Sequence, residues 1–124
     1  MTEKRTSLEY DLGLVKSLVS SGRVSLTKKG TSWLRNHGYS PRKAIEFVLS
    51  LDENEYAETL LPDREGGLLA DVYRCRYSDD EIDGEFYVKF LIESRSLVVV
   101  VLSSKEWGYG WWAFRRFALS AEGR

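Results

Sequence analysis

The first half of the chain carries apolar residues at helical spacing. Intervals of four, three and four positions separate four of them: Leu8, Leu12, Val15 and Val19. Because residues at this spacing share one face of a helix, the pattern predicts a first helix with an apolar stripe. Residues 6–9 fit a capping box at its start, and Gly22 stands where a left-handed C-cap is expected. The alternation in residues 23–27 is compatible with a short strand or with a linker.

Three further helical segments are predicted downstream. A weak one ends at Gly38, and a second begins at Ser40-Pro41, because serine is a good N-cap and proline needs no amide at the first helical position. The third begins at Asp52, where Glu55 completes a capping box. It ends before Pro62, since proline disfavours helical conformation in the residue that precedes it.

The second half of the chain changes to a period of two, which is typical of strands. Residues 69–77 form one predicted strand, residues 85–92 form the next, and the acidic segment 78–84 joins them as a hairpin. The run 97–102 lacks polar alternation, which predicts a central strand covered on both faces. Helices followed by strands predict an α+β fold, in which N-terminal helices pack on a C-terminal antiparallel β-meander.

The composition is that of one globular domain. The chain has 124 residues, of which 43% are hydrophobic and 30% charged, so we expect a single domain over residues 1–124 rather than a disordered chain. The longest apolar run is too short to span a bilayer, and no secretory signal is visible after Met1, so a cytoplasmic location is expected. A single cysteine and a single histidine exclude a disulfide framework and a Cys/His zinc site.

Charge is distributed unevenly along the chain. The net charge of −1 conceals +5 over residues 1–51, −9 over residues 52–93 and +3 over residues 94–124. The pI of about 5.9 is not that of a dedicated nucleic-acid binder. Local basic patches remain possible, because the electrostatic field depends on the placement of charges rather than on their total.

Two neighbouring predicted strands carry the residues best suited to chemistry. Arg74 and Arg76 share one face of the first strand, and Tyr87 and Lys89 share the non-core face of the second. If the register brings these faces together, three cations surround one phenol, an arrangement that suits a phosphodiester because arginine binds phosphate oxygens in bidentate fashion. The alternative is a solvated face whose cations pair with acidic residues of the segment 79–85.

The C-terminal stretch 107–124 is an aromatic and basic extension. Six aromatic residues lie between Trp107 and Phe117, beside Arg115 and Arg116. Aromatic rings with arginines can stack nucleobases, which makes both arginines candidates for RNA binding. The same rings can cover a sheet edge, or form an interface for self-association or for a protein partner.

Two blocks of the sequence resemble the motility quorum-sensing regulator (MqsR) toxins. The first is Glu3-Lys4-Arg5-Thr6 with the helical segment 14–19, and the second is the segment 71–76 followed by Tyr87-Val88-Lys89. The resemblance runs with gaps over residues 3–106. It implies a RelE-like α+β fold and a type II toxin that acts as a ribosome-independent, sequence-specific mRNA endoribonuclease. It also implies a cognate antitoxin as partner, mRNA as substrate, and no metal or other cofactor.

The resemblance assigns roles to individual residues. The functional tyrosine of the family matches Tyr87, and its C-terminal lysine matches Lys105. Together with Arg76 these are the expected catalytic residues, and Arg74 and Lys89 are expected to bind the RNA phosphates. In such ribonucleases the 2′-hydroxyl of the substrate attacks the adjacent phosphate, while the protein transfers protons and stabilises charge.

Two positions depart from the family pattern and favour a second hypothesis. A lysine of the family falls at Glu58, which reverses its charge, and a glutamine falls at Ala70. The alternative is therefore a degenerate, non-catalytic member that acts by binding an antitoxin or a nucleic acid.

Overall fold

The computed structural model describes residues 4–5, 7–62 and 67–108. Within them, three α-helices precede most of the strands: α1 (Leu12–Ser20), α2 (Ser32–Asn36) and α3 (Lys43–Ser50). The short strand β1 (Lys4–Arg5) precedes α1, and a second short strand, β2 (Val24–Leu26), lies between α1 and α2. The longer strands come later in the sequence: β3 (Tyr56–Leu60), β4 (Ala70–Ser78), β5 (Asp83–Glu93) and β6 (Val98–Glu106). The fold is α+β, as the sequence predicts.

The strands of the described chain form one six-stranded sheet in the order β1-β3-β4-β5-β6-β2. Strands β3 to β6 are a continuous antiparallel meander, which confirms the predicted architecture. At one edge the alternating residues 23–27 contribute β2, which pairs with β6 in parallel and makes the sheet mixed. A parallel connection is possible there because the helices of the first half of the chain separate β2 from β6 in sequence.

The hydrophobic core lies between the helices and one face of the meander. Alternate residues of β5, namely Phe86, Val88, Phe90 and Ile92, are buried as predicted. Phe47 of α3 stacks on Phe86 at 4.5 Å between ring centroids, and Cys75 of β4 is fully buried beneath α3. Since strand side chains alternate between faces, the intervening residues of β4, β5 and β6 lie on the opposite face of the sheet.

The first helix begins later than the sequence predicts, and the capping box at residues 6–9 is wrong. Asp11 is the N-cap, and its side chain accepts a hydrogen bond from the Leu14 amide at 2.9 Å. The amides of Glu9 and Tyr10 instead donate to the fully buried carboxylate of Asp71 on β4, at 2.9–3.0 Å. The residues before the helix are therefore bonded to the sheet. Gly22, with φ +85°, has the expected left-handed conformation after the helix.

The helix predicted between Asp52 and Pro62 is also wrong. The capping box of Asp52 and Glu55 is present, but it caps only the 3₁₀ turn Glu53–Glu55, and the chain continues as β3. Pairing of β3 with β4 outweighs the local helical signal. The predicted loop at 63–67 falls almost wholly on residues 63–66, which lie outside the described residues.

The apolar run 97–102 is an interior strand, but it is not covered equally on both faces. Val99 and Val101 are fully buried, whereas Val98 and Val100 are only half-buried. Leu97 belongs to the preceding turn, where it has a φ of 54°. The prediction is therefore wrong about the second face, because the helices cover only one side of β6.

Candidate functional site

Three predicted site residues form a row across the centre of the sheet. Arg74 on β4 is the register partner of Tyr87 on β5, and Tyr87 is the register partner of Lys105 on β6. Directly opposed residues on neighbouring strands have their side chains within contact distance. The Lys105 ammonium accordingly lies 5.2 Å from the centroid of the Tyr87 ring. The structure thus brings together residues that are 31 positions apart in sequence.

A β-bulge in β6 places Lys105 in this row. Phe90 pairs with Val101, whereas the preceding Lys89 pairs with Ser103, so Leu102 is an extra residue. Val99 and Val101 face the core, and strict alternation would turn Lys105 toward the core as well. The extra residue reverses this phase, so Ser104 is buried and Lys105 faces Tyr87.

Trp107 completes one side of the row, a role that the sequence analysis missed. Its ring centroid is 5.8 Å from that of Tyr87, and the Arg74 guanidinium lies 5.1 Å over its indole. The Trp107 amide donates to the Glu85 carbonyl at 2.9 Å and so extends the pairing of β5 with β6. The predicted strand ends at residue 102, which assigns Trp107 to the aromatic extension, whereas β6 continues to Glu106 and Trp107 follows it directly.

The two arginines have different surroundings. Arg74 forms an ion pair with Glu85, with its Nη2 at 2.7 Å from the carboxylate, as the solvated-face alternative predicts. Both side chains are well exposed, so this pair contributes little to stability. Arg76 is exposed, and its amide donates to Glu55 at 2.8 Å. Both arginines line a groove of about 460 Å³ that Tyr56 and Trp107 border. Arg76 is not in the Tyr87 row, since its register partner is Glu85.

The titration behaviour of Tyr87 and Lys89 reflects this half-buried, positively charged face. Burial raises the pKa of Tyr87, and the negative charge of Glu58 raises it further. The phenol therefore stays protonated near neutral pH and can donate a hydrogen bond or a proton. Burial lowers the pKa of Lys89, and the positive charges of Lys105 and Lys29 add to this effect. Lys29, which the sequence analysis did not single out, thus belongs to the same cluster of cations.

The two positions that depart from the family pattern are well defined. Glu58 is on β3, in register with Val72, and its charge acts on Tyr87. Ala70 begins β4 and is buried, so it offers no functional group to the open face. The candidates Arg115 and Arg116 lie outside the described residues, as does the rest of the extension from residue 109 onward.

Neither a metal cluster nor a membrane-spanning helix is found in the described residues. No group of three or more His, Cys, Asp and Glu side chains in residues 4–5, 7–62 and 67–108 is placed to hold a metal ion. Over the same ranges, none of the helices combines the length and apolarity needed to cross a bilayer.

Comparison with known proteins identifies one family. The family model described as "Motility quorum-sensing regulator, toxin of MqsA" matches residues 8–106. No curated protein matches the chain. The matched region includes the Arg74–Tyr87–Lys105 row and ends one residue before Trp107.

Proposed function

The chain belongs to the motility quorum-sensing regulator family, the toxins of MqsA, and we propose that it exerts its toxicity as an mRNA endoribonuclease. Membership makes it a toxin of a toxin–antitoxin system and implies an MqsA antitoxin as its partner. The observation that carries the further step is the Arg74–Tyr87–Lys105 row on the open face of the sheet. It combines a protonated phenol with cations in positions suited to a phosphodiester.

The proposed reaction uses the nucleophile of the RNA itself. The 2′-hydroxyl oxygen forms a bond to the adjacent phosphorus, and the bond from phosphorus to the 5′-oxygen of the next nucleotide breaks. The 2′-hydroxyl proton passes to a base, a role that we assign to Glu58, because its register partner Val72 lies on the same face of β4 as Arg74. Tyr87 donates a proton to the departing 5′-oxygen. The products are a 2′,3′-cyclic phosphate and a 5′-hydroxyl end.

The cations stabilise the negative charge that accumulates on the phosphate oxygens during this displacement. Lys105 and Lys89 flank Tyr87 on the open face, and both are half-buried, so their charges are less screened than those of fully exposed lysines. Arg74 can turn from Glu85 to a phosphate, since a phosphodiester offers the guanidinium a bidentate site of similar geometry and gains negative charge as the displacement proceeds. Arg76 and Trp107 line the neighbouring groove, where a nucleobase could stack on the indole.

The test is cleavage of a synthetic RNA by the purified chain, compared with Tyr87→Phe. A general acid contributes about 10²–10⁴-fold to a rate. We therefore expect Tyr87→Phe to reduce the cleavage rate at least about 100-fold while it remains folded and binds RNA. Tyr39→Phe, which removes a phenol hydroxyl outside the row, is the matched control and should cleave like the wild type. Equal rates for Tyr87→Phe and the wild type would contradict the role assigned to Tyr87.

A non-catalytic function is the second candidate, and the Arg74–Glu85 ion pair favours it. If the carboxylate neutralises Arg74 permanently, the face can bind RNA or the antitoxin without stabilising a transition state. Induction of the chain in cells without its antitoxin separates the two candidates. Growth arrest with fragmented mRNA supports the enzyme, whereas arrest with intact transcripts supports the binding protein.

A further inference from the structure

The 3₁₀ turn Lys29–Thr31 is seated tightly on β6 beside the bulge. A Cβ atom on Gly30 would lie 2.3 Å from the Val101 carbonyl oxygen, so only glycine allows this approach. The buried Ser104 hydroxyl donates to the Gly30 carbonyl at 2.5 Å. Thr27 joins the two segments, because its hydroxyl donates to the Val101 carbonyl at 3.0 Å and accepts from the Gly30 amide at 2.8 Å. The position of Lys29 relative to β6 is therefore fixed by its backbone.

A cleft of about 120 Å³ lies between this turn and β6. Lys29 of the turn and Lys105 of β6 both line it, as do the hydroxyl-bearing residues Ser32 and Ser103. None of its described lining residues is acidic. Ammonium and hydroxyl groups are donors that suit an anion with several acceptor oxygens, such as a phosphate.

The neighbouring cleft on the other side of Trp33 has the opposite character. Four of its lining residues are carboxylates: Glu81, Asp83, Glu85 and Glu106. A polyanion approaching this end of the sheet is therefore repelled from one cleft and attracted to the other. The difference in charge between the two clefts therefore favours passage of the anion through the cleft lined by Lys29 and Lys105.

The third cation of the cluster, Lys89, supports the same interpretation. It pairs with Ser103 across β5 and β6, and the charges of Lys105 and Lys29 both act on it. Three lysines from three different segments thus repel one another in the free protein. An anion bound among them would relieve that repulsion, which is a source of binding free energy.

We infer that the cleft between Lys29 and Lys105 is a second phosphate subsite, which binds the RNA phosphate next to the one at Tyr87. This inference rests on the proposed function, in that it takes RNA as the ligand. Neighbouring strands are about 4.8 Å apart. A single strand of RNA that crosses the sheet from Arg74 over Tyr87 and Lys105 can therefore reach the turn, where Lys29 meets a further phosphate.

The experiment measures how the affinity for a non-cleavable 2′-O-methyl oligoribonucleotide depends on salt. In a plot of the logarithm of the binding constant against the logarithm of the salt concentration, each phosphate contact on a single strand adds about 0.7 to the magnitude of the slope. Lys29→Gln should lower that magnitude by about 0.7. Lys28→Gln, which removes the same charge from the exposed neighbouring lysine outside the cleft, should leave it unchanged. Equal slopes for Lys29→Gln and the wild type would overturn the subsite.

A scan of single uncharged methylphosphonate linkages through the same oligonucleotide locates the contact. One linkage should weaken binding to the wild type but not to Lys29→Gln, because the variant has already lost that contact. If every linkage weakens binding to both proteins equally, the subsite is refuted.

Cleavage assays separate failure of the subsite from failure of the proposed function. A dinucleotide lacks the neighbouring phosphate, so Lys29→Gln should slow the cleavage of longer RNA more than it slows the cleavage of a dinucleotide. If the wild type cleaves no RNA but the slopes differ as expected, the subsite stands and the enzymatic proposal fails. If the wild type cleaves RNA and Lys29→Gln is unimpaired on every length, the subsite alone fails.

Discussion

The substitution Gly30→Ala tests the seating of the 3₁₀ turn on β6, which determines the position of Lys29. The added methyl group would lie 2.3 Å from the Val101 carbonyl oxygen and 2.5 Å from the Thr27 hydroxyl oxygen. Favourable contacts between non-bonded heavy atoms occur at about 3.5–4.0 Å. The turn must therefore move away from β6 by roughly 1 Å, because the nearest obstacle is backbone that a side-chain rotation cannot relieve.

The expected cost has two contributions. Overpacking at a buried position costs typically about 1–3 kcal/mol. Displacement of the turn also weakens the buried hydrogen bond from Ser104 to Gly30, a loss of about 0.5–1.5 kcal/mol. Together they predict a decrease of about 1.5–4.5 kcal/mol in the free energy of unfolding. That is a large part of the about 5–15 kcal/mol available to a domain, but it leaves most molecules folded.

Urea denaturation of the variant beside a matched control measures this decrease. Gly13→Ala is the control, because its Cβ atom would approach no backbone and only the Asp11 side-chain carboxylate, at 3.2 Å, which needs to shift by only a few tenths of an ångström. Gly13→Ala should therefore change the stability much less than Gly30→Ala. Unchanged stability of Gly30→Ala would refute the close packing of the turn on β6. Ser104→Ala removes only the hydrogen bond to Gly30, so it should lower the free energy of unfolding by less than Gly30→Ala does.

Three further predictions concern titratable groups. The Lys43 ammonium lies 2.7 Å from the Asp79 carboxylate and holds the pKa of that carboxyl well below its usual range. The ion pair therefore stabilises the folded state above about pH 4, and this contribution is lost as the pH falls further. Chemical denaturation at a series of pH values should show a weaker acid destabilisation in Lys43→Met than in the wild type. Burial raises the pKa of the Cys75 thiol to about 11, so a thiol reagent should modify the chain in urea but not in its native state at about pH 8. Because the pKa of Lys89 is lowered, RNA affinity should begin to fall at a lower pH than it would with an ordinary lysine at this position. The RNA affinity of Lys89→Arg should depend less on pH, because its guanidinium stays charged.

The strands of the meander were predictable because their signal is local. Residues 85–92 alternate between apolar and polar along β5, and this fixes which side chains face the core once helices cover one side. The facing of Arg74 and Tyr87 resulted from the same alternation together with the predicted hairpin, whose connection, residues 79–82, is shorter than the predicted segment 78–84. Periodicity could therefore predict one pair of the candidate site.

Local capping signals were less informative about length. The capping box at Asp52 and Glu55 is real, but a cap specifies only where a helical turn begins. The conformation of the next residues depends on β4, whose exposed hydrogen-bonding edge pairs with Tyr56–Leu60. Asp71 illustrates the same limit, since its buried carboxylate is satisfied by the amides of Glu9 and Tyr10, which are 62 and 61 positions away in sequence. Neither interaction has a signature within a short window.

The cation cluster shows how one irregularity in the backbone determines a site. Without Leu102 as an extra residue in β6, the alternation that buries Val99 and Val101 would turn Lys105 away from Tyr87. The same shift buries Ser104, which then bonds to Gly30 and fixes the turn that carries Lys29. The positions of two of the three clustered lysines therefore depend on a single register shift. Charge counting along the sequence cannot detect this, because the segment 98–106 contributes only one lysine and one glutamate to the total.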